Sequence, residues 1–479
     1  MSKPVRTRYA PSPTGFFHIG GARGVVLNYL FAKHYNGEFV VRMEDTDLTR
    51  NIPGGIDSQL DGMEWLQIIP DESPRKPGKF GPYIQSQKFD RFAKMGQELI
   101  AQGKAYYCFC TEEEIENSRK NALAKGVVPK YNRHCLKLTS EEIQAKLASG
   151  TPHAIRLKMP NTGMIEWKDM VRGNMSVPAD NLTDPVIVKS NGVPTYNFAV
   201  VIDDHEMQIS HILRGEEHLY NTATQICIMR ALGYDDKEVI YGHLSLVVNE
   251  TGKKLSKRDA SLKQFISDYQ QMGYLPAAVV NFLALLGWSP KQNVEILSIQ
   301  ELIEQFDSAR ISKAPSFFDV KKLNWISSQY FKKMEQNEYL QFVKKFIAID
   351  ITQLGSKYDE ALLIFKNQIS YATELNKLIT DLFFVYDKTV ITTLLPQFPE
   401  FKNNINCLAT VLSQFETITI DNGNEIVNKV KELSKLSGKD LFMPIRLIAV
   451  AKEHGPEMNK ILSVVGKQKL LELIKAFNI

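Results

Sequence analysis

Long apolar runs are absent from this 479-residue chain. The longest, residues 277–288, falls short of the ~20 residues needed to span a bilayer and is interrupted by Asn281. It reads as a buried helix, and no membrane partner is expected. The opening residues, MSKPVRTRYA, lack the apolar stretch of a signal peptide, which predicts a cytoplasmic protein. Cysteine is scarce: five residues do not build a disulfide framework in so long a chain. Charge of one sign is not in excess either. The 58 Lys plus Arg against 54 Asp plus Glu leave a net charge of +4, so any nucleic-acid surface has to be a local patch. Internal repeats and low-complexity tracts are missing, which excludes solenoids and fibrous arrays. One further gap is local: no arginine occurs between Arg310 and Arg446.

What is present is ordinary for a globular protein, with 44% hydrophobic and 23% charged residues. At roughly 150 residues per domain the length fits about three domains. Residues 5–10 alternate like a strand, the turn-rich PSPTG follows, and an apolar-periodic run over 22–35 stops at Asn36-Gly37, a glycine-type helix end. A second strand, 38–43, runs into Glu44-Asp45-Thr46-Asp47. This β-α-β unit predicts a parallel nucleotide-binding sheet with its active edge at the C-terminal ends of the strands, where residues 11–21 and 44–47 fall. From about Tyr106 to Lys189 the rhythm is lost, which predicts an insertion. Strand and helix signals return over 186–189 and 195–201, with a helix near 221–232 and a strand over 244–248. Beyond Phe265 the periodicity is mostly helical, and after Ile326 the helices are long, Lys-rich and joined by polar turns.

Two loops carry chemistry. In RYAPSPTGFFHIGGARG, His18, Gly20 and Gly21 stand at the mouth of the first helix, where backbone N–H groups and the positive helix end suit a triphosphate. A lone His-x-Gly would be read as a turn with a surface histidine. The second loop, Lys254-Leu255-Ser256-Lys257-Arg258, follows the strand expected over 244–248, and its two lysines three apart can flank a leaving pyrophosphate. In isolation this is a solvated basic loop. The two together shift the reading toward nucleotidyl transfer.

APSPTGFFHIGGARG resembles the glutamyl form of the HIGH motif of class I aminoacyl-tRNA synthetases, and KLSKR resembles their KMSKS motif. VRMEDTD, GPYIQSQ, PTYNFAVVIDDH, ILRGEEH and LFMPIRL resemble further segments of the bacterial glutamyl-tRNA synthetases. The resemblance covers nearly the whole chain. Its helical C-terminal half separates it from glutaminyl relatives, which end in β-barrels, and its length from a short tRNA-modifying paralogue. The fold so implied is an α/β Rossmann-type parallel-sheet catalytic domain (1–105 and 190–253) with an α+β acceptor-stem-binding insertion (106–189). It continues into a helical domain carrying the KLSKR loop and stem contacts (254–326), and an all-α anticodon-binding region (327–479).

The implied reaction joins L-glutamate, activated by Mg2+-ATP as glutamyl adenylate, to the 3′ end of tRNA-Glu by a monomeric ligase. In this family the first step usually requires tRNA. The resemblance gives His18, Lys254 and Lys257 catalytic roles and adds Gly20, Gly21, Glu217 and Ser256 to the ATP site. Two motif positions depart from the general pattern: Gly21 replaces the second histidine of HIGH, and Arg258 the last serine of KMSKS. For glutamate, the resemblance assigns Arg8 and Tyr196 to the side-chain carboxylate, Ser12 and Glu44 to the α-amino group, and Arg214 to the α-carboxylate, with Ala10 and Val200 completing the pocket. A dianionic amino acid with one ammonium needs two cations and one anion, which this set supplies. Val200 stands where many relatives carry Asn, leaving Arg214 alone on the α-carboxylate. An alternative for Arg8 is a structural pair with Glu44.

Cys108, Cys110 and Cys135 crowd into one segment, and soft thiolates suit Zn2+, which takes four donors in a tetrahedral site. The resemblance adds Tyr131 as a phenolate donor. His134 is a spare, and three reduced cysteines left from a lost site are the alternative. The arginine gap bears on the anticodon, because discriminating relatives use an arginine to reject the third-position G of tRNA-Gln. Residues 366–378, which most resemble the reading helix, offer Gln368 and Ser370 instead, so tRNA-Gln is a candidate second substrate. Replacement of Arg by Lys across the region, with discrimination kept elsewhere, is the alternative. Two rivals to the whole reading are another nucleotidyl transferase of the same fold and a catalytically silent RNA-binding module.

Overall fold

Residues 4–255 and 263–477 are described by a computed structural model. β1 (Arg6–Tyr9) and β2 (Glu38–Val41) pair in parallel, with Arg8 opposite Val40, and the helix Ile19–His34 crosses between them. That helix starts three residues before the expected Ala22. His18 is its N-cap, the imidazole accepting a hydrogen bond from the Gly21 N–H, and two glycines had hidden the first turn's period. β3 (Ala105–Cys108) and β4 (Ala154–Leu157) form an antiparallel pair with Cys108 opposite Ala154. Next comes the hairpin of β5 (Met164–Asp169) and β6 (Gly173–Pro178), and β7 (Val186–Val188) then returns to β4.

With β8 (His211–Gly215) and β9 (Ile240–Leu244) the main sheet is complete in the order β2-β1-β8-β9-β5-β6, parallel except for β6. Residues 164–178, within the stretch read as an insertion, therefore supply two of its six strands. Within the run 195–201, Thr195 is the N-cap and the rest is helical, part of Tyr196–Glu206. Every residue from Phe198 to Asp204 is buried, so the pattern shows neither period 2 nor period 3.6. The strand expected over 244–248 is two: β9 ends at Leu244, and β10 (Val247–Val248) pairs instead with β11 (Ser316–Phe317). Helix Pro276–Leu285 covers most of the apolar run, and its Asn281 is buried with Oδ1 accepting from the Leu297 N–H at 3.0 Å.

The chain forms two units, 1–268 with 279–320, and 269–278 with 321–479. The core of the first joins Val40, Phe92, Ile155, Phe198, Ile226 and Tyr241 in one cluster. In the second, helices such as Phe401–Ser413, Ile420–Ser434 and Gly438–Val450 bury apolar stripes, for example Ile426, Val427 and Val430 on the middle one, which Thr419 caps. Residues 366–378 are not one helix: only Glu374–Ile379 is α-helical there, and Gln368 and Ser370 fall before it. Among the described residues no helix is long and apolar enough to cross a membrane.

Candidate active site

Charge accumulates where β1 and the residues following β2 meet the last turn of helix Tyr196–Glu206. Arg8 on β1 is buried and lays its Nε and Nη2 on the two oxygens of Asp204, each at 3.3 Å. Arg42, fully buried, holds Glu44 and Asp204 at 2.8 Å each and lies 3.4 Å from Asp203. Asp203 also takes Lys88 and, at 2.8 Å, the Gln85 amide. Three cations thus meet three carboxylates. Arg8 pairs with Asp204, not with Glu44 as the structural alternative had it; Glu44 belongs to Arg42. Burial would raise the Asp204 carboxyl, but Arg8 and Arg42 outweigh it and hold it below the usual carboxylate range. At Glu44 burial wins, and its pKa is raised despite the same two arginines.

Arg214 on β8 differs from these cations. It is buried, with Nε donating to His243 Nε2 at 3.2 Å and Nη2 to Thr222 Oγ1 at 2.7 Å. Its Nη1 is buried without a hydrogen-bond partner, and among the described residues no carboxylate pairs with it. Tyr196 stands nearby, its hydroxyl 3.2 Å from His218 Nδ1. Burial and Arg214 push the His218 imidazole down to about 4, so it is neutral at neutral pH. Val200 is buried and offers no polar atom.

Of the nucleotide residues, His18 and Gly20 are exposed at the helix start. A Cβ at Gly21 would lie 2.5 Å from the Tyr9 hydroxyl, so the tyrosine occupies the space a side chain would need at that motif position. Two of the helix-mouth N–H groups expected to be open are engaged: Ile19 donates to Gln264 O and Gly21 to His18. Beside it, Phe265 forms a bridge with His18 and Ile266 donates to Phe17 O, so residues 264–266 lie against the first motif. On the other side Leu255 donates to Val247 O, and Lys254 lies 3.8 Å from Glu217. Ser256 and Lys257 lie outside the described residues. Ser12 is exposed, and Ala10 follows β1 directly.

The sequence reading missed Arg42, Asp203, Asp204, Asp169 and His243. Asp203-Asp204 was visible only as two acids in an apolar helix, a pattern that calls for buried cationic partners.

A second cluster lies at the end of β3. Cys108, Cys110 and Cys135 bring their sulfurs within 4.8 Å of one another, Cys110 to Cys135 at 3.5 Å. The Tyr131 hydroxyl is 3.4 Å from Cys108 Sγ and 3.5 Å from Cys110 Sγ, and accepts from the Cys135 N–H at 3.2 Å. Exposed His134 is not part of the group. Zinc–sulfur bonds of ~2.3 Å put tetrahedral donors about 3.8 Å apart, and this set of three sulfurs and one oxygen is close to that spacing. Arg156 lies against the cluster, donating to Cys108 Sγ at 3.2 Å and stacking 3.9 Å from the Tyr131 ring.

Comparison with known proteins accounts for both units. Residues 4–325 match the model for tRNA synthetases class I (E and Q), catalytic domain, and residues 329–477 match the anticodon binding domain. The chain is 48% identical to a glutamate–tRNA ligase of Malacoplasma penetrans, over 99% of this chain and 98% of that one. It is 47% identical to one of Ureaplasma parvum, with 98% of each covered. A crystal structure of a glutamate tRNA ligase from Elizabethkingia meningosepticum in complex with its amino acid superposes with a TM-score of 0.89 at 32% identity, covering 99% of both chains. Sequence, catalytic and anticodon units and three-dimensional likeness agree over the full length, and the chain belongs to the glutamate–tRNA ligase family of class I tRNA synthetases.

Proposed function

We propose that the pocket around Arg214 seats L-glutamate for the family's reaction, the ligation of glutamate to tRNA at the expense of ATP. The observation that carries this is a charge imbalance: Arg8, Arg42 and Lys88 are matched by three carboxylates, whereas Arg214 is buried with one Nη unpaired. An anion completes it, and the α-carboxylate of the amino acid is that anion. Arg8 and Tyr196 then face the side-chain carboxylate, Ser12 and Glu44 the ammonium, with Ala10 and Val200 as walls.

In the first step a carboxylate oxygen attacks the α-phosphate of Mg2+-ATP, forming the mixed anhydride and releasing pyrophosphate. In the second the terminal ribose hydroxyl of tRNA-Glu attacks the carbonyl carbon, and AMP leaves. Positioning and charge stabilisation supply the catalysis, with no protein nucleophile. Gly20, Gly21, Glu217 and Ser256 bind the nucleotide, His18 and Lys257 stabilise its phosphates as pyrophosphate leaves, and Lys254 helps to hold the loop closed. Pyrophosphate exchange into ATP with tRNA-Glu present tests this. It should depend on glutamate and fall in Lys257→Ala by the equivalent of roughly 3–4 kcal/mol. Exchange without glutamate, or undiminished in the variant, overturns the reading.

Cys108, Cys110, Cys135 and Tyr131 are the residues that would hold Zn2+, whose contribution is to cross-link the segment after β3; freshly purified protein should carry about one per chain. A cytoplasmic setting and a monomeric working form belong to the same reading. The arginine gap supports tRNA-Gln as a second substrate, with Gln368 exposed where discrimination by a guanidinium fork would be needed. A preference for tRNA-Glu of roughly a thousandfold, about 4 kcal/mol, would exclude it.

A further inference from the structure

We infer that Asp169 and His243 are positioning residues that orient Arg214 from behind, and that through it they set the enzyme's affinity for the amino acid. This rests on Arg214 meeting the α-carboxylate.

Asp169 ends β5 and is buried. Its Oδ1 accepts from the backbone N–H groups of Val171 at 2.9 Å, Arg172 at 2.8 Å and His243 at 3.2 Å, and its Oδ2 lies 2.5 Å from His243 Nδ1. A carboxylate so surrounded by donors is ionised and accepts only, so the proton between it and the imidazole sits on Nδ1. His243 is completely buried, and burial keeps its pKa below the ordinary imidazole range, so the ring is neutral. Nε2 is therefore an acceptor, and it faces Arg214 Nε at 3.2 Å.

Thr222 closes the arrangement. It takes Arg214 Nη2 at 2.7 Å and lies 3.2 Å from His243 Nε2. A guanidinium is planar, so fixing Nε and Nη2 fixes the direction of Nη1, the nitrogen left without a partner. The alternative tautomer would point a proton at the Arg214 Nε–H and turn the fork away. A hairpin that reaches the sheet only by pairing beside β9 thus controls a residue of the pocket it does not enter.

The test is the KM for L-glutamate and for ATP in tRNA-Glu charging by the full-length enzyme. His243→Leu should raise the glutamate KM roughly ten- to hundredfold, the loss of one hydrogen bond to a charged group, with the ATP KM unchanged. His243→Gln keeps an acceptor toward Arg214 and should recover part of that loss. Asp169→Asn is nearly isosteric and keeps the inference testable should His243→Leu fail to fold. Its amide can donate to Nδ1 and impose the wrong tautomer, so the same rise in glutamate KM is expected. In an Arg214→Ala background, His243→Leu should cost nothing further. Full additivity there, a wild-type glutamate KM in both His243→Leu and Asp169→Asn, or equal losses for glutamate and ATP, overturns the inference alone. A wild-type glutamate KM in Arg214→Ala itself overturns the reading of Arg214, and the inference falls with it.

Discussion

The pocket around Arg214 and the cysteine cluster are both incomplete, in opposite senses. Around Arg8 and Arg42 charges of both signs are buried and matched, and the residue left over is a cation, Arg214. At the end of β3 three sulfurs and a phenol, all electron-rich, are crowded together and hydrogen-bond only weakly among themselves. Burial and the neighbouring sulfur of Cys135 help to push the Cys110 thiol up to about 12, against the hydrogen bond from Tyr131. In the function proposed above, each surplus takes a ligand of opposite sign, an anion in the first place and a cation in the second.

The comparison would break most completely if the first network were not self-contained. Asp204→Ala leaves Arg8 and Arg42 buried against too few carboxylates and should destabilise the protein by about 4 kcal/mol, read by urea unfolding. A loss below ~1 kcal/mol would mean the arginines have other partners. Arg214→Ala should cost less in stability and more in function. Its effect on kcat/KM for glutamate should be about 3 kcal/mol, on the scale of losing one partner of a buried charge pair, with zinc content unaltered.

The converse experiment removes the cation. A strong chelator should lower the stability of the segment around residues 105–157 by roughly 2–3 kcal/mol, followed by hydrogen exchange, while binding of a glutamyl-adenylate analogue persists. Simultaneous loss of both would show that the two sites are one cooperative unit. The smallest effect is on pH dependence. Asp204 has a depressed folded-state pKa, so its contribution to stability is complete above the unfolded value and fades as pH falls through the folded one. Thermal melting in acid should therefore be less steep in pH for Asp204→Asn than for the wild type; identical slopes would place the acid sensitivity elsewhere.

Much of this was readable from the chain. The opening β-α-β unit, the histidine at the helix mouth, the cysteine segment and the helical C-terminal half are local patterns, and local patterns survive in a sequence. What was not readable depends on distance or on complete burial. Arg8 finds Asp204 196 positions away, and Asp169 finds His243 74 positions away, with no local periodicity linking either pair. The helix Tyr196–Glu206 is buried nearly all round, which erases the polar face that would have marked it. Residues 366–378 fail as a helix for another reason: the Glu374 carboxylate accepts the N–H groups of Ser370 and Tyr371, stabilising a turn ahead of a short helix. The hairpin of β5 and β6 was obscured by the irregular segment that precedes it.

The register of β3 and β4 decides where this protein can be cut and rejoined. Cys108 stands opposite Ala154 across an antiparallel ladder, and such partners are only about 5 Å apart at Cα. Everything between them, 109–153, leaves and re-enters the body through one narrow doorway that a two-residue turn could seal. The hairpin 164–178 offers no such seam, because it is woven into the main sheet as β5 and β6. A module grafted, exchanged or deleted here would have its boundaries at Cys108 and Ala154, and one drawn at residues 106 and 189 would tear two strands out of the catalytic floor.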